Sequence, residues 1–368
     1  MAKNECDQIG VELGFVEEFE SFSLRSKQFH SKVGGRPAWL SQLGLPSPSE
    51  LSCQKCGQPS AFLLQVYAPI PGQARSFHRT CFVFCCKNTA CYSHNDSRCF
   101  KVYRSQLPRK NDFYSYDPPV EEEAADIHST DSEILQLGSG VKLCRVCGCL
   151  GPKSCSRCHS ANYCSREHQT IDWKAGHKKE CSKNGEVGVS LLDHKFLFLE
   201  YEVVTEPEEL QLEADGDGQI EEEQLKEMQT YLESKPPAGD VLDSVDERDL
   251  EAMAEHESKE SKVFEKFKRR TAIEPEQVLR YCRMGHPLWV SDENVPKETD
   301  IPNCLCGAKR LFEFQIMPQL LNYLKVDSPE ASIDWGTLAV YTCADSCDQG
   351  NKYTAEFIVK QDYCADHI

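Results

Sequence analysis

No stretch of this 368-residue chain approaches the roughly 18 consecutive apolar positions that a membrane-spanning helix needs. The first residues, Met1-Ala2-Lys3-Asn4-Glu5, hold no apolar run, so no secretory leader is expected. The chain also lacks a phosphate loop, a Gly-x-Ser-x-Gly elbow and a dinucleotide fingerprint, and no enzyme is expected. With no leader and no span, the 21 cysteines are expected in a reducing compartment. There they read as metal ligands rather than disulfides.

Basic residues are scarce where the chain is most charged. Residues 200–260 hold 22 Asp or Glu against 4 Lys or Arg, which accounts for the whole net charge of −18. The remaining residues carry 37 charges of each sign. With Pro236-Pro237 and few aromatics, 206–260 reads as a disordered or loosely helical acidic insert. A smaller acidic stretch begins at Glu121-Glu122-Glu123-Ala124-Ala125-Asp126. Asp215-Gly216-Asp217-Gly218-Gln219-Ile220 looks like part of a calcium loop. It has Glu213 and Gln224 where such a loop needs Asp and a bidentate Glu, so it is read as a chance match.

Between the acidic stretches lie eight candidate zinc ligands within residues 144–181. They are Cys144-x2-Cys147, Cys155-x2-Cys158, Cys164-x3-His168 and His177-x3-Cys181. Zinc takes four ligands in a tetrahedron, and pairs two to four residues apart reach one ion from a tight turn. Four pairs make two sites. So short a segment cannot bury a core, and metal must supply its folding energy. Tyr163-Cys164-Ser165, Gln169, Asp172-Trp173 and His177-Lys178-x-x-Cys181 resemble the MYND zinc finger. The resemblance implies interleaved sites. Cys144, Cys147, Cys164 and His168 would hold one ion, and Cys155, Cys158, His177 and Cys181 the other. His168 stands where the usual pattern has Cys; imidazole is also a good zinc ligand, so the site should survive with one less negative charge. Cys149 is read as a bystander.

The flanking sequence repeats itself at an offset of 250 residues. Gly35-Arg36-Pro37-Ala38-Trp39-Leu40 matches Gly285-His286-Pro287-Leu288-Trp289-Val290. Cys56-Gly57, Phe62 and Gln65 match Cys306-Gly307, Phe312 and Gln315. Further on, Phe82-Val83-Phe84-Cys85-Cys86 parallels Ala339-Val340-Tyr341-Thr342-Cys343. Each copy has a short cysteine pair, an alternating strand, a second strand and a second pair. A zinc-ribbon-like site follows from Cys53, Cys56, Cys86 and Cys91, and another from Cys304, Cys306, Cys343 and Cys347. The parallel with Thr342-Cys343 makes Cys86 the ligand and turns Cys85 away. The Cys304-x-Cys306 spacing is one residue tighter than usual. The competing reading is that these cysteines are buried small hydrophobes.

Ser31-Lys32-Val33-Gly34-Gly35-Arg36-Pro37-Ala38-Trp39-Leu40, Phe198-Leu199-Glu200-Tyr201-Glu202 and Pro302-x-Cys304-x-Cys306-Gly307-Ala308 resemble the programmed cell death protein 2 family. So does the continuation through Phe312-Glu313-Phe314-Gln315 to Pro318-Gln319-Leu320-Leu321. Its repeat unit is shared with a paralogue and with the fungal twenty-S rRNA accumulation protein. The resemblance implies a dedicated chaperone for a newly synthesised small-subunit ribosomal protein, eukaryotic ribosomal protein S-two of the uS-five family. It would act in the cytoplasm and nucleus, with no membrane partner. An acidic protein can shield such a basic client before RNA does. The alternative is a nuclear adaptor that recruits corepressor proteins through the finger. The finger is basic, but its acidic flanks and the lack of a base-reading helix weigh against direct nucleic-acid binding.

The expected fold is β-rich α+β, a discontinuous two-lobed domain with pseudo-twofold duplication. An N-terminal lobe spans 1–120 and a C-terminal lobe 262–368, with the finger, 141–183, as a tethered insertion. A strand segment in 191–205, centred on Lys195–Tyr201, would complete the lobes. Zinc is the expected cofactor, two ions in the finger and one more per lobe. Trp39 and Trp289 each lie 17 residues before the second cysteine of their lobe's first pair. Each suits either a core wedge or a client contact.

Overall fold

Ten antiparallel strands close into one barrel. The first half of the chain supplies β1 (Glu12–Glu17), β2 (Ser31–Val33), β3 (Ala61–Tyr67), β4 (His78–Cys85) and β5 (Phe100–Leu107). Two short strands, β6 (Lys153–Ser154) and β7 (Asn162–Tyr163), pair with each other in the finger. The second half supplies β8 (Tyr201–Pro207), β9 (Leu279–Tyr281), β10 (Arg310–Ile316), β11 (Thr337–Cys343) and β12 (Thr354–Gln361). The order around the barrel is β1-β8-β2-β3-β4-β5-β12-β11-β10-β9. The computed structural model describes residues 10–18, 28–118, 137–181, 194–209, 262–326, 332–348 and 352–363. The stretch Glu121–Asp126, most of the acidic insert with its calcium-like loop, Cys6 and Cys364 lie outside them. Among the described residues, no helix is long and apolar enough to cross a membrane.

Each repeat copy contributes a run of four strands, β2–β5 and β9–β12. The two runs meet directly where β5 pairs with β12. On the other side β8 and β1 join them. Two lobes were the expectation, and a single continuous sheet is the outcome. A separate four-stranded sheet would leave two hydrogen-bonding edges, and closure removes all of them. Local details coincide at the repeat offset. The β3–β4 register shifts between Phe62 and Leu64, and the β10–β11 register shifts between Phe312 and Phe314. The Gln65 side chain accepts from the Ala38 amide, and Gln315 accepts from the Leu288 amide. Both glutamines are buried, so each holds its Pro-x-Trp segment against the sheet.

Alternation along the strands sorts the side chains. Cys81, Val83 and Cys85 of β4 join an interior cluster with Phe314, Ile316, Leu338 and Val340 from the opposite half. Phe82 and Phe84 face outward into a second cluster. The interior also holds charge. Arg79 Nη2 donates to Glu313 Oε2 at 2.7 Å, and both side chains are fully buried. Arg104 and Arg310 converge on Glu356 at 2.7 and 2.9 Å. Glu313 occupies the bulge position that Leu63 fills in the other half. Its ion pair therefore ties the second repeat copy to the first.

The strand expected at 195–201 begins only at Tyr201 and runs to Pro207, into the start of the proposed acidic insert. Residues 195–200 instead cross the end of the barrel. The Gly35 amide donates to Phe198 O at 3.0 Å, and Lys87 Nζ to Lys195 O at 3.1 Å. Gly34 has φ +66, and a Cβ there would lie 1.8 Å from Leu199 O, so only glycine allows this crossing. Phe198 enters the interior, and Phe196 packs against His168 of the finger. A helix over 262–273 lays Phe267 and Phe264 on Val290 and Met317.

Candidate metal centres

The structure brings the sixteen ligand candidates together in four groups of four. They are Cys53/Cys56/Cys86/Cys91, Cys144/Cys147/Cys164/His168, Cys155/Cys158/His177/Cys181 and Cys304/Cys306/Cys343/Cys347, each with its ligand atoms within 4.8 Å of one another. In the barrel, each first pair sits on a tight turn. The Cys53 amide donates to Gln58 O at 2.9 Å and the Gly57 amide to Cys53 O at 2.9 Å. In the other copy the Cys304 amide donates to Ala308 O and the Gly307 amide to Cys304 O, both at 2.8 Å. Gly57 and Gly307 have φ +71 and +92, which closes the turn even with one residue fewer between the cysteines. The second pair of each set begins at the end of β4 or β11, with Cys86 just after β4 and Cys343 the last residue of β11. Strand pairing therefore carries the two pairs into contact.

The separations fit a tetrahedral ion. Zinc–sulfur bonds of about 2.3 Å put neighbouring thiolates about 3.8 Å apart, against about 2.05 Å in a disulfide. The structure has 3.6 Å for Cys56–Cys86, 3.7 Å for Cys147–Cys164 and 3.9 Å for Cys155–Cys181. Cys304–Cys347 and Cys306–Cys343 are 3.5 and 3.6 Å apart. Backbone amides of Lys55 and Asn88 approach Cys53 and Cys86 sulfur at 3.4 Å, the contacts that stabilise thiolates. In the finger, His168 Nδ1 lies 3.1 Å from Cys164 Sγ, and His177 Nε2 lies 3.6 Å from Cys158 Sγ. Both rings are buried among sulfurs, as imidazole ligands of a zinc ion would be.

The other described cysteines separate cleanly from these sets. Cys85 points into the barrel, where burial pushes its thiol up to about 12, as it does for Cys81. Cys99 is fully buried in the same cluster, Cys149 lies beneath the first finger site, and Cys282 packs under the outer face of the second half. Exposure distinguishes the four centres. Every ligand in the finger is buried, whereas Cys56 is half-buried and Cys306 is exposed. Asp96, beside the first barrel set, accepts from Lys55 and Arg98, whereas His78 sits at the opposite end of β4 from Cys86 and pairs with Tyr67 OH.

The finger is not a tethered insertion. Its α1 (Arg166–Asp172) starts at Ser165, whose hydroxyl accepts from the His168 amide at 3.1 Å. Asp172 ends that helix as a buried hub. It meets Tyr163 OH at 2.6 Å, Arg145 Nε at 3.0 Å and His194 Nε2 at 3.4 Å. Arg36 donates to Arg145 O at 2.9 Å, and Trp39 Nε1 to Gly148 O at 2.7 Å. Trp39 is only 1% exposed, stacked among Phe82, Phe84 and Tyr353. As a candidate client contact Trp39 is thus corrected to core, because the finger covers it. Trp289 is part-exposed on the opposite half. Spacing could not show Asp172 or Gly148 as docking residues, although both lie inside the finger motif.

The finger and the turn of the first barrel set enclose a cleft of about 370 Å³ lined by Pro48, Leu51, Pro59, Cys147 and Pro152.

Comparison with known proteins agrees with this layout. Residues 10–121 match the family described as "Programmed cell death protein 2, N-terminal domain", 261–362 match its "C-terminal putative domain", and 144–181 match the "MYND finger". None of the three descriptions names a catalytic domain. Programmed cell death protein 2 of Rattus norvegicus is 53% identical over 96% of this chain and 97% of its own length. That of Bos taurus is 54% identical over 96% of both. Programmed cell death protein 2-like of Homo sapiens is 29% identical over 90% of both. No solved structure matches. A MYND finger with its zinc ligands, docked on a barrel whose two halves match the paired domains, and over half of all residues shared along nearly the whole length, place this chain in the programmed cell death protein 2 family.

Proposed function

We propose that this protein is a dedicated chaperone that binds newly synthesised eukaryotic ribosomal protein S-two, of the uS-five family, and supports small-subunit biogenesis in the cytoplasm and nucleus. The observation that carries this reading is the segregation of charge. The barrel and finger residues are nearly balanced, and the excess of 18 negative charges lies in 200–260. That stretch is tethered at both ends to one place. Glu208 accepts from Arg280 at 2.7 Å and lies 3.7 Å from Arg270 of the 262–273 helix. A mainly acidic chain anchored beside a rigid barrel can screen a basic client before RNA replaces it. The matching bulges, glutamines and metal turns support a pseudo-twofold duplication as the origin of the barrel, with one zinc ion per half and two in the finger.

Affinity purification of the full chain from cells with arrested ribosome assembly tests the reading. Newly made ribosomal protein S-two should be the main co-purifying species. Its absence, with corepressor subunits in its place, would favour the adaptor reading. The proline-lined cleft beside the finger supports that second reading, because it could seat a short extended peptide.

A further inference from the structure

The two halves of the barrel carry the same outer face, but only in the first half is the Pro-x-Trp tryptophan buried. In the first half, Trp39, Phe62, Phe82 and Phe84 lie under the finger. Their repeat counterparts are Trp289, Phe312, Ala339 and Tyr341, which form a smaller cluster on the second half. Val11, Ile301 and Phe357 pack on that cluster and, like Trp289, remain part-exposed. Met284, which hydrogen-bonds Phe312 O, is 55% exposed. The Trp39 indole donates to Gly148 O, whereas the Trp289 indole meets no acceptor among the described residues. Part-exposed Trp289, Val11, Ile301 and Phe357 with exposed Met284 make an apolar patch of the kind that marks a docking surface.

Charge selects the occupant. The loop between Trp289 and Ile301 carries Asp292, Glu293, Glu298 and Asp300 against Lys297, and with Glu298 paired to Lys309 the rim keeps a net negative charge. The acidic stretch leaves the barrel at the same rim, where the Glu208 amide donates to Val11 O at 2.7 Å. An acidic segment of this chain is therefore a poor occupant, and a basic one is favoured.

We infer that the Trp289 face is the site where a basic protein segment docks, anchored by an apolar side chain beside Trp289 and Phe357 and accepting the indole N–H through a backbone carbonyl. This deepens the chaperone reading and rests on it for the identity of the client. The large aromatic at the centre and the acidic rim match the usual division between anchor and steering residues.

The test uses the full chain. Purified ribosomal protein S-two and a separate 15-residue Arg/Gly-rich peptide with one central Leu serve as probes, measured by titration and amide exchange. Trp289→Ala and Ile301→Asp should each weaken both probes at least about tenfold. Zinc content and the far-ultraviolet spectrum should match the parent, while the melting temperature should fall modestly because both side chains pack on Phe312 and Tyr341. Glu293→Lys with Glu298→Lys alters only exposed side chains and should slow association without changing the fold. Protection on binding should centre on 289–301. If S-two binds parent and variants equally, the inference fails and the chaperone reading stands. If S-two does not bind the parent but the peptide does, with the same losses, the chaperone reading fails and the docking face stands. Failure of both probes to protect 289–301, or a parent dimer that Trp289→Ala dissolves, would overturn the inference.

Discussion

The indole nitrogen of Trp39 donates to the carbonyl oxygen of Gly148 at 2.7 Å, so a repeat residue of the barrel is capped by a metal turn of the finger. Gly148 has φ +70, and a Cβ there would lie 2.7 Å from Arg36 Cβ. Barrel and finger therefore share one core. Trp39→Ala should cost about 3–5 kcal/mol by denaturant unfolding, and Trp39→Phe, which mainly loses the hydrogen bond, about 1–3 kcal/mol. Deleting 141–183 should give an aggregating protein with Phe82 and Phe84 uncovered. A soluble, fully folded deletion variant would show that the finger is dispensable to the core.

Metal content follows from the four ligand sets. Elemental analysis should find about four zinc ions per chain, and about two would mean that the barrel cysteines are only buried. Cys86→Ser should remove one ion and destabilise the barrel. Cys85→Ala should keep all four and cost about 1 kcal/mol, the small-residue loss of a buried thiol. Equal effects at the two positions would contradict the geometry.

Release order should follow exposure. Under a chelator, the first ion to leave should come from the Cys304/Cys306/Cys343/Cys347 set, because Cys306 is exposed while all eight finger ligands are buried. Cys306→Ser should abolish that first phase and spare the slower ones. Loss of finger zinc first, followed by the ring signals of His168 and His177, would refute this order.

The Arg79–Glu313 pair is fully buried and joins the two repeat copies. Glu313→Gln leaves Arg79 uncompensated and should cost about 3–5 kcal/mol. Replacing both with Leu, the residue at the matching position 63, should recover most of that loss. A double variant as unstable as the single one would show that the ion pair itself stabilises the barrel.

Deleting 210–260 removes 17 acidic and four basic residues and leaves the Glu208–Arg280 contact in place. The barrel should keep its melting temperature and zinc. Association with a basic client should slow and lose most of its salt dependence, since charge steers encounter more than it sets the final contact. An association rate at low salt equal to the parent's would remove the shielding role.

The ligands were legible because zinc demands short spacings. A Cys-x2-Cys turn is a local event, and a 250-residue offset between two such units marks a duplication without any knowledge of contacts. The choice of Cys86 over Cys85 came from that alignment and agrees with the direction each side chain takes on β4. What the chain order could not show is non-local pairing. Whether β5 would meet β12, or β8 would slide between β1 and β2, depends on edges that lie at least 168 residues apart in the sequence. Two lobes and one closed barrel share the same local pattern, and only the register of those long-range ladders separates them. The same holds for Trp39 and Trp289. Both sit in the same Gly-x-Pro-x-Trp frame, and it is the docking of Gly148 on one and not the other that makes the first a core residue and leaves the second part-exposed.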